Sequence, residues 1–169
     1  MSTLARMMSG ADVLSVLDLL REAGAEVVIA GGWGIDALVG EETREHRDLD
    51  LLHIRDGESA VIGALAAAGY RETLDRRPVR FVLTHPSGLE IDLHPLEFAA
   101  DGSAVQSSPD PRSPSATRPS VSSPAPSGTT VRCISAEQQV RFHQGYEPAD
   151  HDLQDMAQLR RKFGINTRF

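Results

Sequence analysis

A single cysteine, Cys133, and an aromatic content of only 5% are the scarcest features of this 169-residue chain. One thiol excludes an intramolecular disulfide. Few rings mean that the core is built mainly from Leu, Val, Ile and Ala, since hydrophobic residues still make up 40%. Positive charge is also short. Seventeen Lys and Arg stand against 24 Asp and Glu, a net charge of −7, which argues against a general binder of nucleic-acid backbones. No apolar run approaches the roughly 20 residues of a membrane helix. Residues 1 to 25 carry Asp12, Asp18 and Glu22 where a secretory signal needs an apolar stretch. The expectation is a cytoplasmic protein of one ordinary domain, with no nucleic-acid or membrane partner.

Regular patterning fills two stretches. In residues 11 to 23, Asp12, Ser15, Asp18 and Glu22 step by three, three and four. Val13, Leu14, Leu17 and Leu20 lie on the other side, which predicts an amphipathic helix ending at Gly24. Glu26 to Ala30 is short, apolar and β-branched, a buried strand running into Gly31-Gly32. A short helix is expected at Gly34 to Val39. Asp48 to Ile54 opens in strict alternation and reads as a strand. Gly57 to Ala68 reads as helix. Val79 to Thr84 and Leu89 to His94 form a hairpin around His85-Pro86-Ser87-Gly88, with Pro and Gly where a turn uses them. Ser135 with Gln138 has capping-box spacing for a helix to about Phe142. Leu153, Met156, Leu159 and Phe163 recur at helical spacing in a last helix. This order indicates an α/β (α+β) unit, a mixed β-sheet flanked by helices.

Proline is unevenly spread. Six of the 10 prolines fall between Ser107 and Ser127, beside eight serines, and no helical or strand period runs through that window. The expected organisation is a core at 1–102, a Ser/Pro-rich anomalous or disordered segment at 103–130, and a C-terminal helical part of the same domain at 131–169. Two origins of the segment stay open. It is an insertion, tolerated because loop closure costs grow slowly with length, or the product of compensating frameshifts. Codons for Ser120 to Gly128 permit another frame reading LGFVTGTIG, a strand-and-turn string.

Alternation sets the Asp48 and Asp50 carboxylates on one strand face, about 7 Å apart along it. Two carboxylates that close repel unless a cation sits between them. Gly31-Gly32 follows a buried strand, where missing side chains let backbone amides approach an anion. Arg44 and Arg47 lie just before the aspartates and carry forked donors suited to phosphate oxygens. Glu90, Asp92 and His94 share a face of the last hairpin strand and supply a further carboxylate. Such a set suits Mg²⁺ bridging to a nucleoside triphosphate, with the third carboxylate as base. Trp33 either lines a nucleotide site or packs in the core. His46 and His53 lack the companions of a zinc site. Cys133 reads as a small buried hydrophobe.

The run GGWGIDALVGEETREHRDLDLL (Gly31 to Leu52), followed by EIDLHP (Glu90 to Pro95), resembles the small antibiotic nucleotidyltransferases of the DNA polymerase beta-like superfamily. The segment Cys133 to Leu159 is similar to the C-terminal part of the lincosamide nucleotidyltransferase type, with His143, Gly145, Tyr146, Asp152 and Asp155 in matching places. The resemblance implies a polymerase beta-like fold and transfer of a nucleoside monophosphate from ATP or another NTP to a drug hydroxyl. Mg²⁺ would assist, pyrophosphate would leave, and homodimers are known in the family. It also implies that Gly31 and Gly32 face the triphosphate and that Asp48, Asp50 and Asp92 hold metal. Asp92 is then the base. Arg44 and Arg47 are phosphate contacts by position. Trp33, His94, His143 and Tyr146 are candidates for contact with substrate. A lincosamide acceptor comes first and an aminoglycoside second. The alternatives are nucleotidylation of a protein side chain and a degenerate, non-catalytic nucleotide binder.

Overall fold

The computed structural model describes residues 6–98, 100, 103–106, 129–167 and 169, together with the backbone at 115–117 and 121–124. Helix α1 (Gly10–Glu22) starts at Ser9, whose hydroxyl accepts from the Asp12 amide at 3.2 Å while Asp12 accepts from the Ser9 amide at 2.9 Å. This reciprocal cap pairs donors that a helix start otherwise leaves free. Strand β1 (Val27–Ile29) leads into α2 (Gly31–Val39), then β2 (Asp48–Ile54), α3 (Glu58–Ala67), β3 (Arg71–Arg76), β4 (Arg80–Thr84) and β5 (Glu90–Phe98). After these come β6 (Ala104–Gln106), β7 (Ser115–Thr117), β8 (Val121–Pro124), β9 (Thr130–Cys133), α4 (Ala136–Phe142) and α5 (Asp150–Phe163).

The described strands form one mixed sheet in the order β3-β4-β5-β2-β1-β9-β8, with β6 on β5 and β7 on β6. Strand β2 is parallel to β5, while β1 is antiparallel to β2 and parallel to β9. A mixed sheet flanked by helices is the architecture expected from the sequence. Among the described residues no helix is long and apolar enough to cross a membrane.

Helix α2 and strands β3, β7 and β8 differ from expectation. Helix α2 begins at Gly31, not Gly34, because the two glycines form its own first turn, with Gly31 at φ 59°. Strand β3, RETLDR, is almost wholly exposed and shows no apolar alternation; it is held by pairing with β4. Strands β7 and β8 put extended backbone inside the Ser/Pro window, where no strand period is legible. Residues 107–114, 118–120 and 125–128 of that window lie outside the described residues. Pro124 falls at the end of β8, the outermost strand on that side, where a missing amide is tolerated.

Side-chain parity divides the sheet. Leu49 and Leu51 of β2, Phe81 and Leu83 of β4, and Ile91 and Leu93 of β5 pack with Val13, Val16 and Leu20 of α1 and Val61 and Leu65 of α3. Burying each such side chain stabilises the fold by about 1.5–3 kcal/mol. Residues of the other parity face the opposite way. There Leu52, Leu96 and Ile134 form a smaller cluster with Phe142 against it, and this is the face that receives Asp48, Asp50 and Asp92.

Candidate active site

Strand register sets Asp50 directly beside Asp92, and Asp48 beside Glu90. The alternation that sends leucines to the α1/α3 core thus gathers four acidic side chains on the other face. His94 Nε2 lies 3.0 Å from Asp50 Oδ1 and 3.6 Å from Asp92 Oδ1. Gln106 on β6 meets His94 Nδ1 at 3.1 Å. Asp92 is buried; Arg80 donates to its Oδ2, while its Oδ1 has no hydrogen-bond partner among the described residues.

Crowding of like charge perturbs these groups. Burial, then the charges of Asp50, Asp92 and Glu90, push the Asp48 carboxyl up to about 6. Burial also raises Asp92, with Arg80 and His94 pulling the other way. His94 is lowered by burial, but its hydrogen bond to Asp50 and the charges of Asp50 and Asp92 outweigh this and raise it. Asp50, Asp92 and His94 each offer a donor atom within 4.8 Å of the others. An orphaned buried carboxylate oxygen in an oxygen-rich, negatively charged patch fits a hard divalent cation.

The glycine turn abuts this patch. A Cβ on Gly31 would collide with the Asp50 carboxylate, and one on Gly32 with the His46 ring and Arg44 Nη2. Only glycine permits both approaches. The first-turn amides of α2 have no intrahelical acceptor and end beside the carboxylates.

The remaining expected residues are placed as follows. Arg44 reaches Gly32, but its Nε and Nη2 both donate to Asp155 of α5 at 2.8 Å. Arg47 is exposed, 3.7 Å from Glu90 at the rim of the patch. Trp33 is buried in the main core, its ring 4.5 Å from that of His46. His143 lines a cavity of about 270 Å³ together with Gly31, Asp50, His94, Gln106 and Gln139. Tyr146 is exposed and bonded to Asp152; burial of its hydroxyl and the Asp152 carboxylate raise its pKa. Cys133 is fully buried, and burial pushes its thiol up to about 11, so it is inert, as expected.

Several groups escape a reading of the sequence alone. Counting residues back from the hairpin turn places Arg80 on the face of Asp92, so its signal was present. Asp36 sits in the apolar α2 and is fully buried, bonded to His46 through one oxygen and to the Thr43 amide (3.1 Å) and hydroxyl (2.6 Å) through the other. An acid on the buried side of a short apolar helix is a visible anomaly. Gln106 and Gln139 have no local signal, because each acts on a residue it meets only in the folded chain; Asp155 is marked by the resemblance, but its pairing with Arg44 is not.

Comparison with known proteins gives the family. The family profile described as aminoglycoside-2''-adenylyltransferase matches residues 12–159. A lincosamide resistance protein of Staphylococcus haemolyticus is 31% identical over 149 residues, 88% of this chain and 92% of that protein. The crystal structure of the lincosamide antibiotic adenylyltransferase LnuA, lincomycin-bound, superposes with a TM-score of 0.80 at 29% identity, covering 92% of this chain and 98% of the other. ANT(2'')-Ia in complex with adenylyl-2''-tobramycin shares the fold, with a TM-score of 0.65 at 19% identity over 88% and 86% of the two chains. By its glycine turn, its carboxylate patch and these likenesses, the chain belongs to the aminoglycoside-2''-adenylyltransferase family and is a nucleotidyltransferase.

Proposed function

We propose that the enzyme transfers an adenylyl group from ATP to a hydroxyl of a lincosamide-type antibiotic and releases pyrophosphate. The supporting observation is the Asp48, Asp50 and Asp92 patch against the Gly31-Gly32 turn, in a chain 31% identical to a lincosamide resistance protein. Mg²⁺ would be held by Asp48, Asp50 and Asp92 and would offset charge on the triphosphate.

The amides of Gly31 and Gly32 receive phosphate oxygens. Asp92 takes the hydroxyl proton of the acceptor. The freed oxygen bonds to the α-phosphorus as the bond from that phosphorus to the bridging oxygen breaks, and pyrophosphate leaves with the electron pair. Arg80 occupies Asp92 Oδ2 and so directs Oδ1 to this work. His94, its Nδ1 turned to Gln106, gives Nε2–H to Asp50 and fixes that carboxylate. His143 contributes to the acceptor wall from the cavity beside Asp50. With ATP as donor, this reading sets the reaction in the cytoplasm and gives it a small-molecule acceptor.

Incubation with ATP and Mg²⁺, with lincomycin and kanamycin in separate reactions, tests this by mass spectrometry. Lincomycin is expected to gain one adenylyl group with matching pyrophosphate. An adduct on kanamycin alone would move the acceptor to the aminoglycosides. No drug adduct, with label on protein instead, would favour a side-chain acceptor.

A further inference from the structure

Gln139 of α4 is fully buried, and its Nε2 donates to the Gly31 carbonyl at 3.1 Å. The carbonyl can only accept, so the amide orientation is fixed: nitrogen toward Gly31, oxygen away. That oxygen, Oε1, is buried and has no hydrogen-bond partner among the described residues. An unpartnered buried amide oxygen is unfavourable, and a leucine would fill similar space without it. What the amide gains here is the bond to Gly31.

The surroundings are shaped for that bond. A Cβ on Gly34 would stand 2.5 Å from Gln139 Nε2 and 3.2 Å from the Ile29 carbonyl, so the glycine admits the side chain. Helix α4 is itself anchored. Ser135 caps it by accepting from the Gln138 amide at 3.2 Å, and the Ile134 amide donates to the Ile29 carbonyl at 3.0 Å.

The consequence follows from peptide geometry. The carbonyl of Gly31 and the amide N–H of Gly32 belong to one plane and point in opposite directions. Fixing the oxygen therefore aims the N–H. Gly31, at φ 59° and without a side chain, is a joint with few conformational restraints of its own, so the bond from Gln139 adds a second hold on that plane beside that of the helix to which Gly31 belongs. The Gly32 amide is a first-turn donor without an intrahelical acceptor, and His46 and Arg44 stand against the Cα of the same residue, where a side chain would otherwise be.

We propose that Gln139 is a positioning residue for the nucleotide: through the Gly31 carbonyl it holds the Gly32 amide toward the triphosphate. This rests on reading Gly31-Gly32 as the phosphate-binding turn. It makes α4, which follows the Ser/Pro segment, part of the nucleotide machinery.

The test uses the full chain with Mg²⁺ and a non-hydrolysable ATP analogue. Binding is read from the fluorescence of Trp33, the sole tryptophan, and by calorimetry. Gln139→Leu removes the donor, and Gln139→Glu places an acceptor against the carbonyl. Both are expected to weaken analogue binding about tenfold or more, the loss of one well-aligned hydrogen bond and its repulsive replacement. Acceptor KM should stay near wild type in both, and the unliganded melting temperature should do so in Gln139→Leu, which also sheds the unpartnered oxygen. Variants that bind like wild type, or that lose melting temperature, nucleotide affinity and acceptor affinity together, overturn the inference. In the wild type the Gly32 amide resonance should move on adding analogue, and an unmoved resonance overturns it without any variant. If wild type binds no analogue, the phosphate-turn reading itself fails; if wild type binds and the variants match it, only the role of Gln139 does.

Discussion

Asp48 has two opposed duties. It belongs to a patch where carboxylates crowd within reach of few cations, and burial with the charges of Asp50, Asp92 and Glu90 lifts its carboxyl to about 6. Asp48→Asn removes that repulsion at nearly constant shape. With a chelator present, calorimetry should find the variant melting above wild type, while its transfer rate falls by about a hundredfold or more, as for a lost electrostatic contact to reacting groups. A lower melting temperature would contradict the crowding argument. His53 shows a different linkage. It is buried between Glu58 and Phe81, and burial, with the charges of His94 and Arg77, lowers its pKa below 6.5 despite Glu58. The folded state therefore binds this proton less readily than the unfolded one. The associated stability is complete above about pH 6.5 and is lost as pH falls through the folded value. His53→Phe should flatten the melting profile over that acidic limb; an unchanged slope would remove His53 as its source. Asp48, Asp50 and Asp92 stand out in the sequence as a candidate set because alternation gives the face of each strand and the glycine turn and family-like motifs accompany them. Gln106 and Gln139 do not, since each meets its partner only after the sheet and α4 have assembled.

The segment before β2 is held to the C-terminal helices at one ionic clamp. Arg44 forks onto Asp155, which is 1% exposed, and Gln154 donates to the Thr43 carbonyl at 3.2 Å. Asp155→Ala would leave the guanidinium without its buried carboxylate and should cost about 3 kcal/mol in urea unfolding, the range for breaking one half of a buried pair. Arg44→Lys should recover little of this, because an ammonium cannot fork. Equal stability of Arg44→Lys and wild type would show that the clamp carries no weight. At this scale, period explains what could be read. Helices α1, α4 and α5, strand β2 and the β4–β5 hairpin carry complete polar and apolar repeats or caps. Helix α2 hides its start because two glycines carry no hydrophobic signal. Strand β3 is charged on both faces, and β7 and β8 are spelled in serine and proline.

Across the whole molecule the sheet separates stability from chemistry by parity. Residues facing α1 and α3 bury the main core. Those facing the other way bring together the carboxylates, the glycine turn and the cavity beside them. The net charge of −7 acquires a location in this arrangement, because part of it is concentrated where a cation and a triphosphate would be received. The central claim is that this patch performs adenylyl transfer. Its most direct measurement is adduct formation on lincomycin by wild type and Asp92→Asn side by side, each with Mg²⁺ and with chelator. Product from wild type with Mg²⁺ alone is predicted. Undiminished product from Asp92→Asn, or from wild type in chelator, would contradict the account.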